Sequence, residues 1–183
     1  MRSSLLVAAA VAVSVAGCGS SSTHTTRTTK PVNPNAKETS PAGDIPDNQV
    51  YVPFTVPGSG VTVKVPEGWS RKAAGAAVVF SDNLNSVRIQ TARASAPPSA
   101  ASVKRNVKDG RVSKLSRAGG TAIRVKYLAK APQDPVTGKR VTDAVERYYY
   151  VRNGKELILT LSGPKGADNV DPWRLISNSV RWK

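Results

Sequence analysis

The chain holds one thiol, Cys18, and one imidazole, His24, and both lie near its N-terminus. Everything beyond them must work without either group. That removes the Ser–His and Cys–His pairs that activate a nucleophile. A zinc site there would need carboxylates alone, an uncommon ligand set. The later acids are scattered: Glu67, Asp82, Asp109, Asp134, Asp143, Glu146, Glu156, Asp168 and Asp171. Asp143 and Glu146 are the closest pair, but an offset of three in an extended strand turns them to opposite faces. Asp168 and Asp171 flank a helix start, where Asp171 is placed to cap. Gly58-Ser59-Gly60 lacks the Lys-Ser/Thr sequel of a phosphate loop and precedes a strand instead of a helix. His24 has no second ligand or orienting group nearby. A Ser–Lys dyad needs only residues that are present, so a hydrolase remains a third reading. No catalytic residue, metal or cofactor is expected.

Cys18 has a setting of its own. Met1-Arg2 is a short positive start, followed by an uncharged run rich in Ala and Val from Leu5 to Val15. That run falls short of the roughly 20 apolar residues needed to span a bilayer. It has the length and flanks of a signal-peptide hydrophobic region. Val15-Ala16-Gly17-Cys18 closes it, with the aliphatic-small-small-Cys pattern of a bacterial lipobox. Small side chains let a peptidase approach the backbone, and the thiol can carry a diacylglycerol. Residues 1–17 are therefore expected to be a lipoprotein signal peptide and Cys18 the lipidated residue. The expected place is the outer face of the cell membrane, with the acyl chains as anchor. The competing reading is an ordinary secretory signal with a chance cysteine. With a single Cys, no disulfide framework is possible.

Residues 18–48 are rich in Ser, Thr, Pro and Asn and nearly devoid of aliphatic side chains. Such a segment buries too little apolar surface to offset its ordering entropy, so it is expected to be a disordered tether. Residues 49–183 suit one domain with a sizeable core. The whole chain has 27 Lys plus Arg against 12 Asp plus Glu, a formal charge of +15. At a bacterial membrane that excess would meet anionic lipid headgroups and wall polymers. Nucleic acid, the other usual partner of such charge, is not expected outside the cell.

Alternation and turn chemistry divide the domain. Val61-Thr62-Val63-Lys64-Val65 alternates and stops at Pro66-Glu67-Gly68-Trp69. Residues 76–80 and 86–94 read as a strand pair around Asp82-Asn83. Ser99 is set to cap a helix with Ala100, Val103 and Val107 on one face, ended by Gly110. Residues 111–117 and 121–130 form a hairpin about Gly119-Gly120. Asn153-Gly154 is the preferred pair for a two-residue turn that needs positive φ. It sets Tyr150 opposite Leu157 and Tyr148 opposite Leu159, with Tyr149 and Ile158 on the other face. Asp171-Pro172 opens a last helix, on which Trp173, Ile176 and Val180 pack inward. Val180-Arg181-Trp182 then leaves the helix as a short strand or cap.

Two of these segments carry a family resemblance. Val63-Lys64-Val65-Pro66-Glu67-Gly68-Trp69 resembles the opening strand and Pro-x-Gly-Trp turn of PsbP-like domains. The stretch from the tyrosine strand through Leu157-Ile158-Leu159-Thr160-Leu161 to Ile176-Ser177-Asn178-Ser179-Val180-Arg181 is similar to that family's last strand and closing helix. The LpqN-type lipoproteins of actinobacteria, which place this fold behind a lipobox and a Ser/Thr-rich tether, are the best match. The resemblance implies an α+β fold, an antiparallel sheet flanked by helices in an α/β/α sandwich. It also implies a binding or assembly role without shared catalytic residues, and it names no partner.

The remaining signal is charge. Lys104, Arg105, Lys108, Arg111, Lys114, Arg124 and Lys126 fall in a stretch whose sole acid is Asp109. They form a candidate surface for an anionic partner, and a merely solvated face explains them equally well. The first functional reading is a tethered, non-catalytic module for an envelope protein or an anionic polymer or lipid surface. The alternative is a carrier or presenter of a small lipid-like ligand in an apolar pocket, which the 5% aromatic content disfavours.

Overall fold

The computed structural model describes residues 42–82, 84–131, 133, 138 and 140–183. Residues 1–41, which include the expected signal peptide, Cys18, His24 and most of the expected tether, lie outside the described residues. In chain order the elements are β1 (Tyr51–Val56), β2 (Val61–Pro66), β3 (Ser70–Ala74), β4 (Ala77–Asp82) and β5 (Asn85–Arg93). Then come α1 (Ala100–Asn106), β6 (Arg111–Arg117), β7 (Gly120–Lys130), β8 (Thr142–Arg152), β9 (Lys155–Pro164), α2 (Val170–Asn178) and β10 (Arg181–Trp182). A seven-stranded sheet runs β3-β4-β5-β9-β8-β7-β6, and a three-stranded sheet runs β1-β2-β10. Every pairing is antiparallel. The fold is α+β, with mostly antiparallel sheet and two helices, as the resemblance implied.

The β8–β9 hairpin turns where the Asn-Gly pair predicts, with φ of 51° at Asn153 and 73° at Gly154. The register is the expected one, Tyr150 opposite Leu157 and Tyr148 opposite Leu159. Leu157, Leu159 and Leu161 are all 0% exposed. They share one core with Val87 and Ile89, with Val61, Val63 and Val65 of the small sheet, and with Trp173, Ile176 and Val180. Burying each large aliphatic side chain stabilises the fold by about 1.5–3 kcal/mol. This inner face of the large sheet is the main core. A smaller cluster, Val103, Val107 and Val125 with Tyr127 and Tyr149 against it, lies on the other face, under α1. Alternation places Val125 and Tyr149 there, since Arg124 and Tyr148 take the inner side.

Two strands carried no sequence signal. β1 holds Pro53, which a central strand would reject, but it pairs only with β2 and so tolerates a missing donor. β3 is Ser-Arg-Lys-Ala-Ala, the outermost strand of the large sheet, and most of it is exposed. With no face to bury, it has no apolar period to read.

Two expectations need correcting. Asp171 does not cap α2; Asn169 holds the N-cap position, and Asp171 sits in the first turn, 3.0 Å from Arg174. The Asn169 side chain does not cap either, because tertiary partners claim it. Its Oδ1 accepts from the Ile45 amide at 2.9 Å, and its Nδ2 donates to Gly43 O and Asn85 Oδ1, each at 3.0 Å. These bonds also move the domain boundary ahead of residue 49. Ile45 is 4% exposed, and the Asp168 amide donates to Asp44 Oδ1 at 2.8 Å. Residues 43–45, assigned by composition to the tether, are part of the packed unit.

Candidate functional site

α2 has nine residues and spans about 14 Å, whereas the eleven residues of β8 run about 37 Å. One short helix cannot cover that length. The small sheet lies over part of the inner face, but the start of β8 and the end of β7 stay open. There the strands and the first turn of α2 enclose a groove of about 610 Å³. Trp173, Val170 and Ala167 form its helix side, Leu128 and Ala144 its sheet side, and Lys108, Arg111 and Lys126 its basic lining. Leu128 is 56% and Val170 58% exposed, so large apolar surface is left uncovered beside cations.

Glu146 is the anionic centre of this region. It is 7% exposed, and Lys126 Nζ reaches Glu146 Oε1 at 2.7 Å. Arg124 NH1 lies 3.8 Å from Glu146 Oε2, which also accepts from the Tyr148 hydroxyl. Arg124 is steadied further by Nε donating to Ser113 Oγ at 3.3 Å. Burial raises the Tyr148 pKa above 10.0, and its bond to Glu146 adds to the rise, since phenolate beside a carboxylate is doubly unfavourable. Tyr150, next on that face, donates to Ser177 O at 2.6 Å, and burial raises its pKa well above the usual tyrosine value.

The seven predicted basic residues do not form one surface. Lys104 and Arg105 lie in the last turn of α1, where they complement the helix dipole, and Lys114 shares their side of the sheet. Arg111, Arg124 and Lys126 take the inner side. Lys108, just past α1, joins Arg111 and Lys126 at the groove. Arg124 and Lys126 are partly spent on Glu146; Lys104, Arg105, Lys108, Arg111 and Lys114 make no salt bridge among the described residues. Arg111, Lys114 and Arg117 also run along β6, the sheet's edge, as Arg71 and Lys72 do along β3 at the opposite edge. Charges of this kind discourage edge-to-edge pairing with another chain.

Sequence reasoning missed Glu146 as partner of Lys126. The cross-strand pair exists because β7 and β8 register Lys126 against Glu146. The connection between those strands has no two-residue turn to reveal the pairing. The groove's apolar lining was equally hidden, since it joins α2 to β7 and β8. Among the described residues no three His, Cys, Asp or Glu side chains converge as metal ligands, and no helix is long and apolar enough to cross a membrane. Cys18, the expected lipidation site, lies outside the described residues.

No protein-family model matches the chain. No curated protein matches it either. Several solved structures are similar. A crystal structure from Bacteroides thetaiotaomicron matches with a TM-score of 0.52 and 14% identity over 72% of this chain, which spans 48% of that one. Cyanobacterial PsbP from Synechocystis matches with a TM-score of 0.48 and 12% identity, covering 78% of this chain and 99% of that one. LpqN of Mycobacterium tuberculosis, a protein involved in cell envelope biogenesis, matches at 0.41 and 16%, covering 73% of this chain and 91% of that one. The first is a likeness of fold alone, and the other two carry no residue roles over to this chain.

Proposed function

We propose that this chain is a lipid-anchored, extracytoplasmic binding module without catalytic activity, held at the outer face of the cell membrane through Cys18. Its partner is an anionic surface or an envelope component that presents negative charge beside apolar groups. The observation that carries this reading is the groove, where Lys108, Arg111 and Lys126 stand next to the uncovered Leu128 and Val170. Of these cations Lys126 is paired with Glu146 and Asp109 also borders the groove, which leaves Lys108 and Arg111 without a salt bridge beside large exposed apolar residues, an arrangement that a covering partner would stabilise. The lipobox pattern at Val15-Ala16-Gly17-Cys18 supports the compartment, and the absence of His and Cys beyond residue 24 supports a role without nucleophilic catalysis.

The apolar lining also favours a second reading, a small lipid-like ligand seated between Trp173 and Leu128. Both readings use the same cations, so one experiment addresses them. A chain starting at Ala42 keeps the Gly43 and Ile45 contacts and lacks the anchor. It is sedimented with neutral and with phosphatidylglycerol-containing vesicles at low and physiological salt. Each basic residue near an anionic surface contributes about 1 kcal/mol, so replacing Lys108, Arg111 and Lys126 together by Gln should release the protein at physiological salt. Retention unchanged by those replacements removes the groove from the reading. Retention by neither vesicle, with a fatty acid bound in solution, favours the carrier. Lipidation is checked separately by mass spectrometry of the mature chain, where an unmodified Cys18 rejects the anchor.

A further inference from the structure

The outer face of the large sheet carries a different arrangement, which meets the groove's lining only through Tyr127. β5, β9 and β8 are neighbours, and their register sets Arg88 opposite Thr160 and Thr160 opposite Arg147. The three side chains form one row on the face away from α2. Gln90 and Tyr149 follow in the adjacent row, and together they border a hollow of about 270 Å³. Two strand spacings separate the arginine backbones, about 9.6 Å. That gap leaves room for a small group between the guanidinium heads.

The row has direction. Arg147 Nε donates to Thr160 Oγ1 at 3.1 Å, and its guanidinium carbon lies 5.6 Å from the Tyr127 ring centroid. Those contacts, with the Tyr127 hydroxyl also beside Arg147, hold the plane of one guanidinium and occupy only part of its five N–H donors. Thr160, having accepted from Arg147, still has its own O–H to donate. Neither Arg88 nor Arg147 forms a salt bridge among the described residues. The acids on the same face of these strands are Glu156, four residues from Thr160, and Asp143, four from Arg147. Four residues of strand is about 14 Å, beyond direct pairing. Two half-buried cations on either side of a hydroxyl, with no carboxylate within reach, is an unfavourable arrangement that an anion would relieve.

We propose that the Arg88–Thr160–Arg147 row is a binding site for a phosphate-type oxyanion. Each guanidinium offers a planar fork of donors that matches two oxygens of a tetrahedral anion, and the Thr160 hydroxyl supplies a donor between them. Free phosphate and the phosphodiester of a lipid headgroup or wall polymer share this chemistry.

The test is calorimetric titration of the full chain in neutral detergent, with inorganic phosphate in one arm and glycerophosphoglycerol, a soluble diester headgroup, in the other. Saturable binding in either arm is expected, and Arg88→Gln and Arg147→Gln should each weaken it about tenfold, the range for one charge-assisted contact. Arg88→Lys keeps the charge but loses the fork and should fall between. Near-UV circular dichroism confirms that the variants keep native packing. Preference for the diester identifies a lipid or polymer headgroup as the source, and preference for inorganic phosphate identifies a free anion. No saturable binding in either arm overturns the proposal. So does affinity that Arg88→Gln and Arg147→Gln leave unchanged, or that falls only when Lys108, Arg111 and Lys126 are replaced.

Discussion

Asp143 and Glu146 are three residues apart on β8, each 7% exposed, and the two faces of the sheet treat them differently. Glu146 points to the inner face, where Lys126, Arg124 and Tyr148 all address its oxygens. Asp143 points to the outer face, and its Oδ1 has no hydrogen-bond partner among the described residues. Burial pushes its pKa above 3.8. The inner face is covered by α2 and the small sheet, and the carboxylate admitted there is paired, while the one unpartnered polar atom against that core among the described residues is the Tyr51 hydroxyl of β1. The outer face has the seven-residue α1 over one part, with Arg88, Arg147 and Asp143 outside its small core. A buried polar group that is paired supports a unique packing, whereas an unpaired one lowers stability or awaits a ligand.

The comparison can be broken most directly through the apolar residues of β9. Leu159→Ala removes a fully buried side chain from the inner core and should cost about 2–5 kcal/mol in urea unfolding. Ile158→Ala, one residue before it and half-buried on the outer face, should cost less than half as much. Equal losses would mean that the faces do not differ as described.

The carboxylates sharpen it. Glu146→Ala leaves Lys126 and Arg124 without their carboxylate and Tyr148 without its acceptor, an expected loss of about 1–3 kcal/mol. Asp143→Asn should lose nothing at neutral pH and is expected to gain slightly. For Asp143 the folded pKa is raised, so the folded state disfavours the carboxylate. Its contribution is present below 3.8 and is lost as pH rises through the raised folded value. The difference in Tm between wild type and Asp143→Asn should therefore open as pH rises from 3 to 7. A difference that closes instead contradicts the unpaired burial.

Tyr150→Phe removes the hydroxyl that donates to Ser177 O and should cost about 1 kcal/mol at neutral pH. Tyr148 and Tyr150 both have raised folded pKa values. Unfolded tyrosines lose their protons near 10 while the folded ones keep theirs, so stability falls as pH climbs above 10. The fall should be shallower in Tyr150→Phe, read as the pH dependence of the urea midpoint. The smallest effect belongs to Lys104→Gln on the exposed side of α1, within about 0.5 kcal/mol of wild type. A larger change would give that lysine a structural role the fold does not assign to it.

The elements were legible where local chemistry decides. Asn153-Gly154 specified a turn, the turn specified a register, and a period of two then assigned Leu157, Leu159 and Leu161 to one face and Ile158 to the other. Ser99 capped α1 as expected, its Oγ accepting from the Ser102 amide at 3.1 Å. The edge strands β1 and β3 were not legible: Pro53 interrupts β1, although Phe54 and Val56 pack on the core, and β3 has no buried face and so no apolar period.

By itself, the sequence determined the lipobox pattern, the excess of positive charge, and the pattern of alternation along each strand. It could not say what covers each face, because that depends on contacts between distant segments. Tertiary structure brought Asn169 to Ile45 and so took the cap away from α2. It set Glu146 against Lys126 and divided the basic residues between two sides of one sheet. It also brought Arg88 of the distant β5 into line with the Thr160 and Arg147 pair that the Asn153-Gly154 turn had set. Local propensity chooses a residue's side of its strand, and only the packing of the whole chain chooses its neighbours.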